Sequence, residues 1–329
     1  MSEHKNVKEN KAFLSVEDLH VQYTSEGNVV RAVNGVSFDL KRGETLALVG
    51  ETGAGKTSIA KAILRILPDV SASASGNVFL DGENLMEKKP KEMLKVRGRR
   101  ISMIFQDPMT ALNPTMRVGK QIAEVIEVHQ HIGRKEAEKK AAHMLEMVGI
   151  PAERYNEFPH QFSGGMKQRV VIAIALACSP EILLADEPTT ALDVTIQAQV
   201  LELINRLKEE YNTSMILITH DLGVVNETCD NVAVVYAGQI IEMGRKVDIF
   251  ENPVHPYTKG LFGALPNMNL DSERLNPIDG LPPDPTNLPE GCAFATRCPW
   301  ACDECKAGQI PNIEVEAEHF CRCVKLKEG

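Results

Sequence analysis

No stretch of this 329-residue chain approaches the roughly 18 to 20 uninterrupted apolar residues that a membrane span needs, so it is not expected to form a membrane path by itself. The opening Met1-Ser-Glu-His-Lys-Asn-Val-Lys-Glu-Asn10 lacks the apolar core of a signal peptide, and residues 1–11 are expected to be a disordered leader. Positive charge is short as well. With 36 Lys and Arg against 45 Asp and Glu the net charge is −9, which argues against a broad nucleic-acid surface. What remains, 43 % hydrophobic and 25 % charged, is ordinary for a globular protein with room for two domains, and a soluble cytoplasmic protein is expected.

The strongest positive signal is Leu46-Ala-Leu-Val-Gly50-Glu-Thr-Gly-Ala-Gly-Lys56-Thr57, an apolar run ending in Gly, four residues, then Gly-Lys-Thr. It reads as a buried strand feeding a glycine loop and a helix over Ser58–Leu67, where backbone N–H groups and the helix dipole favour a phosphate. Lys56 would reach the terminal phosphates and the Thr57 hydroxyl would serve Mg²⁺. A chance glycine-rich turn is the bland alternative. A second apolar run, Ile182-Leu-Leu-Ala-Asp186-Glu187-Pro188, ends in adjacent carboxylates. Asp186 suits the Mg²⁺ water shell, and Glu187 suits orienting or deprotonating an attacking water. Alone, that run could be a strand exit with solvated acids.

Between these runs stands Phe162-Ser163-Gly164-Gly165-Met166-Lys167-Gln168-Arg169, and after them come Ala191-Leu192-Asp193 and Ile218-Thr219-His220-Asp221. With Gln106 of Phe105-Gln106-Asp107-Pro108, they resemble the ordered motif set of ATP-binding cassette (ABC) proteins over about residues 13–265. Singly, each has a plain reading: Ser-Gly-Gly a flexible turn, His220 a strand-end histidine, Gln106 an exposed polar residue. Together, the resemblance implies ATP bound by Gly50, Glu51, Thr52, Gly53, Ala54, Gly55, Lys56, Thr57 and Ser58, with Gly53 through Thr57 wrapping the phosphates. Tyr23 would stack on adenine. Thr57, Gln106 and Asp186 would attend Mg²⁺, while Glu187, His220 and Gln106 would act in hydrolysis. Ser163, Gly164, Gly165 and Gln168 would face the nucleotide of a partner cassette, with Asp193 in the adjoining loop, so a cassette dimer is implied. The loop departs from the family's commoner Glu-Ser-Gly-Ser-Gly-Lys-Ser, but Thr57 still supplies a hydroxyl.

The expected fold class is α/β: a P-loop ABC nucleotide-binding domain over 12–265, with a RecA-like doubly wound core and an antiparallel β-layer from Phe13 to Asp39 that contains Tyr23. A hairpin is expected over Gly76–Gly82 and a strand over Ile101–Phe105. Helices over 116–150, apolar at spacings of three and four, belong to an inserted helical subdomain at about 107–167. A Pro-rich linker over 266–290 follows, with five prolines between Pro277 and Pro289, and then a separate small module over 291–329.

That module holds six of the eight cysteines, which in an acidic chain without a signal peptide argues for a metal or cluster before disulfides. Spacing alone slightly favours zinc on Cys302, Cys305, Cys321 and Cys323. Pro253-Val-His-Pro256-Tyr257-Thr258 through Pro266 looks like the extension of peptide and nickel importer ATPases. The resemblance to that family implies a 4Fe-4S cluster on Cys292, Cys298, Cys305 and Cys321, with Cys302 and Cys323 as alternatives. Cys178 and Cys229 lie in apolar cassette segments and are given no function.

The family resemblance implies an ATPase subunit, peripheral on the cytoplasmic face of the cell membrane, that energises import of oligopeptides or dipeptides. Its implied partners are a homologous second cassette, two transmembrane permease subunits and an extracytoplasmic substrate-binding protein, and no nucleic acid. A nickel importer is the alternative. A non-transport ABC protein would be expected to carry tandem cassettes or a long heptad arm, and neither is present.

Overall fold

The computed structural model describes residues 12–25, 27–190, 192–263 and 278–328. The expected leader, Ala191 and the first part of the expected linker lie outside the described residues. In chain order the strands and helices begin with β1 (Leu14–Ser25), β2 (Asn28–Leu40), β3 (Thr45–Val49), α1 (Lys56–Ile63), β4 (Ala72–Leu80), β5 (Glu83–Asn84), α2 (Pro90–Val96) and β6 (Ile101–Ile104). Next come α3 (Pro108–Ala111), α4 (Val118–Gln130), α5 (Arg134–Met147), α6 (Gly164–Leu176), β7 (Ile182–Asp186), α7 (Val194–Tyr211), β8 (Ser214–Thr219) and α8 (Leu222–Thr228). The remainder are β9 (Asn231–Tyr236), β10 (Gln239–Arg245), α9 (Lys246–Glu251), α10 (Pro256–Gly263), β11 (Ile313–Glu316) and β12 (His319–Cys321).

Two sheets result. β2-β1-β4-β5 is antiparallel, and the larger sheet runs β11-β12-β10-β9-β3-β8-β7-β6, parallel from β9 to β6. The apolar runs of β3, β7 and β8 are continuous because a parallel sheet is covered on both faces. Their period of two divides the residues between two cores. Ala47, Val49, Leu183, Ala185, Met215 and Leu217 pack with the helices that include α4, α5 and α6. Leu46, Leu48, Ile182, Leu184, Ile216 and Ile218 pack with α1 and the antiparallel sheet.

Local differences from expectation have local causes. The first helix starts at Lys56 and ends at Ile63, because Arg65 has a left-handed φ of 52°. The strand before Gln106 stops at Ile104, and Phe105 is exposed. Larger is the difference in the tail, which is not a unit apart. β12 pairs with β10 through Glu242↔Cys321 and Met243↔Phe320, and β11 pairs with β12, so the tail adds two strands to the main sheet. Buried Glu242 pins this junction: its carboxylate accepts the N–H groups of Val254 (2.7 Å) and His255 (2.9 Å) and lies 2.9 Å from His319 Nε2. Phe294, 2 % exposed, enters the larger core with its ring centroid 5.4 Å from that of Tyr236 and 5.5 Å from that of Tyr257.

Candidate active site

Four neighbouring parallel strands deliver the site from their carboxyl ends, where open α/β sheets bind ligands. Gly50 follows β3, Gln106 lies just past β6, Asp186 and Glu187 end β7, and His220 follows β8. After β3 the chain must turn tightly into α1. Gly55 makes this possible with φ 100°; a Cβ there would lie 2.2 Å from the backbone oxygen of Ala32. The loop therefore leaves the backbone N–H groups of the first turn of α1 available to an anion.

Lys56, 6 % exposed, lies under the loop with Nζ donating to the carbonyls of Gly50 (2.6 Å) and Glu51 (2.9 Å). Burial lowers its pKa, opposed by the charges of Glu187, Asp186 and Glu51. Thr57 Oγ1 donates to Asp186 Oδ1 at 3.0 Å, bringing together the two groups expected to attend Mg²⁺. Burial raises the Asp186 pKa, and the Thr57 hydrogen bond partly offsets that. Tyr23 Oη lies 3.1 Å from Ser58 Oγ, which holds the tyrosine beside the first turn of α1.

Glu187 is gripped on both oxygens. Oε2 accepts from Gln106 Nε2 and from Thr190 Oγ1, both at 2.8 Å, and Oε1 lies 3.3 Å from His220 Nδ1. Burial pushes its pKa up, yet the bonds from Thr190, His220 and Gln106 outweigh burial and hold the carboxyl below the usual glutamate range. Its backbone has φ 46°, uncommon for a side chain of this size, and its N–H donates to Ile218 O at 2.8 Å. The result is an ionised, oriented carboxylate beside the Asp186–Thr57 pair, suited to activating water.

The Ser-Gly-Gly motif opens α6. Ser163 is its N-cap, its hydroxyl accepting from Met166 N at 3.4 Å, and Ser163 and Gly164 are exposed. Asp193 is the exposed N-cap of α7. Gln168 departs from expectation: it is 2 % exposed, so its side chain is closed to a partner subunit, and its Nε2 has no hydrogen-bond acceptor among the described residues.

The expected cysteine sets also need correction. Among the described residues no three His, Cys, Asp or Glu side chains come together as a metal-ion site. The zinc set Cys302, Cys305, Cys321 and Cys323 is thus not gathered at one point among the described residues. Cys292, Cys298, Cys305 and Cys323 line one cavity of about 20 Å³, while Cys321 is not among its lining residues. Cys321 is wholly buried in β12 at the β10 register. Cys302 Sγ lies 3.4 Å from Cys305 Sγ.

Two partners of the phosphate loop have no signal in the local sequence. Tyr257 Oη accepts the Glu51 N–H at 3.0 Å, and Arg297 forks onto the Glu51 carboxylate at 2.9 and 3.0 Å. They stand 206 and 246 residues from Glu51 along the chain, beyond the reach of any motif.

Residues 33–190 match the ABC transporter family and residues 241–305 match the oligopeptide/dipeptide transporter C-terminal region. The dipeptide transport ATP-binding protein DppD of Bacillus subtilis is 53 % identical over 302 residues, 90 % of each chain. The oligopeptide transport ATP-binding protein OppD of Escherichia coli is 47 % identical over 92 % of this chain and 90 % of its own. A solved dimeric ATP-binding cassette, in a post-hydrolysis state bound to ADP and Pi, superposes with TM-score 0.64 at 26 % identity over 71 % of this chain and 98 % of that one. No helix among the described residues is long and apolar enough to cross a membrane. The chain belongs to the ABC transporter family of ATP-binding cassettes, with the C-terminal region of the oligopeptide/dipeptide transporters.

Proposed function

We propose that this chain is the ATP-hydrolysing subunit that energises import of dipeptides or oligopeptides, docked on the cytoplasmic face of a membrane permease. The observation that carries the hydrolytic part is the threefold grip on Glu187 beside Asp186. ATP would occupy the loop from Gly50 to Ser58 with its adenine against Tyr23. Lys56 would exchange its two carbonyl partners for phosphate oxygens. Thr57, Asp186 and Gln106 are the residues that would hold Mg²⁺, which when bound neutralises charge on the transferred phosphoryl group. Glu187 accepts the proton of the attacking water, and Gln106 and His220 fix the carboxylate's direction.

The exposed Ser163 and Gly164, with Gly165 behind them, would complete the site of a second, homologous cassette, so each site takes residues from two chains. The names of the relatives favour peptides over nickel. The test is reconstitution in vesicles with a second cassette, two permease subunits and a binding protein. ATP-dependent accumulation of a labelled dipeptide is expected; accumulation of Ni²⁺ without peptide uptake would overturn the substrate assignment.

The tail reading takes Cys323, an alternative in the sequence expectation, in place of Cys321. Cys292, Cys298, Cys305 and Cys323 would hold an iron–sulfur cluster, and its support is the single cavity those four side chains line. Such a group would supply cross-links and folding free energy to the segment rather than chemistry at the nucleotide. Anaerobically purified protein is expected to be brown and to lose its iron on Cys323→Ser but not on Cys321→Ser. The reverse pattern, or iron-free protein with an ordered tail, would sink this reading.

A further inference from the structure

Glu51 lies within the loop that would receive the phosphates, and a bare carboxylate there would repel them. It is not bare. Arg297 Nη1 and Nη2 reach its two oxygens at 2.9 and 3.0 Å in a parallel fork, with the arginine side chain 5 % exposed and the glutamate 28 %. The guanidinium is itself fixed, since it also donates to Tyr236 Oη (3.2 Å), Asp279 O (3.0 Å) and Ile278 O (3.3 Å). Its backbone is held in the cysteine-bearing segment, where Arg297 N donates to Phe294 O at 2.9 Å and Cys292 N donates to Cys305 O at 2.7 Å. Glu51 is therefore held at three points: side chain to Arg297, N–H to Tyr257, and carbonyl to Lys56.

We propose that Arg297 is a positioning residue for the phosphate loop: it neutralises and orients Glu51, so the tail sets the loop's affinity for a nucleotide's phosphates. The inference rests on the ATP site proposed above. A purely structural pair would dock the tail and leave nucleotide affinity alone. A neutralising pair makes a sharper demand, because removal of the cation is harmful only while the anion remains.

The test is equilibrium binding of a fluorescent ATP analogue to the full-length chain, with KM and kcat for ATP measured on the assembled transporter. Arg297→Ala is expected to weaken binding and raise KM on the order of tenfold, as for an ion pair stripped of one partner, with kcat within about twofold of wild type. Adding Glu51→Gln to Arg297→Ala should return binding to within about threefold of wild type. Should Arg297→Ala not fold, Arg297→Lys keeps the charge without the fork, and the same rescue by Glu51→Gln is expected from a smaller loss. The proposal is overturned if Arg297→Ala or Arg297→Lys binds as wild type while Lys56→Ala does not. It is equally overturned if the double variant binds no better than the Arg297 variant. Wild-type binding by Lys56→Ala would overturn both this proposal and the ATP site beneath it.

Discussion

Gln106 Nε2 donates to Glu187 Oε2 across 2.8 Å, tying the chain just past β6 to the end of the neighbouring strand β7. The glutamate is thereby aimed before any substrate arrives, and its isosteric amide would keep the shape while losing the base. Glu187→Gln is expected to cut steady-state ATP hydrolysis by the assembled complex about 10²-fold or more with nucleotide binding retained. Near-normal turnover would remove Glu187 from the role of base.

The pH dependence follows from the same grip. Burial raises the Glu187 pKa, and Thr190, His220 and Gln106 lower it further than burial lifts it. A depressed carboxyl contributes stability that is present above its unfolded pKa and is lost as pH falls through the folded one. The acid limb of the rate profile should therefore lie below the ordinary glutamate range. His220→Ala removes one of the lowering partners and should move that limb to higher pH, read from kcat against pH; an unmoved limb would separate His220 from the base.

Gly164 offers a cleaner probe of a shared site than its neighbour. A Cβ on Gly165 would lie 2.7 Å from Ile196 Cγ2, whereas one on Gly164 meets nothing nearer than Leu192 Cδ2 at 4.0 Å. Gly164→Asp is expected to spare ATP binding by this chain and to depress hydrolysis at the partner's phosphate loop. The isolated chain should be a poor ATPase. Robust hydrolysis by a demonstrably monomeric preparation would refute the shared site.

Phe294 tests how far the tail belongs to the cassette. Its ring, 2 % exposed, closes a cluster with Tyr236 and Tyr257, so Phe294→Ala should cost about 3 to 5 kcal/mol. The loss is expected in the main urea transition of the whole chain. A change confined to a separate minor transition would mean that the tail unfolds independently.

Much of the site was legible because its residues sit where an apolar run stops. β3 and β7 are continuous hydrophobic strands, and the phosphate loop and Asp186-Glu187 are the first polar groups beyond them. Gln106 and His220 follow the same logic at β6 and β8. The burial of Gln168 is not legible because a motif gives order along the chain without saying which face of α6 a residue takes. The placement of the cysteines is illegible for a related reason. Cys321 and Cys323 are two apart, and the end of β12 between them leaves one inside the sheet and the other at the cavity. Arg297 was invisible because its partner is distant in sequence and a fork between opposite charges leaves no periodicity.

The sheet pairing of the tail also bears on the order of assembly. β10 is complete at Arg245, yet its second neighbour, β12, begins only at His319. During synthesis one edge of β10 must wait for those later residues, with its unpaired N–H and carbonyl groups open to any extended chain nearby. Chains stopped before Ile313 would keep that edge permanently, together with a vacancy where Phe294 belongs if they also stop before it. Such fragments are candidates for edge-to-edge aggregation even though every residue of the nucleotide loop is already in place.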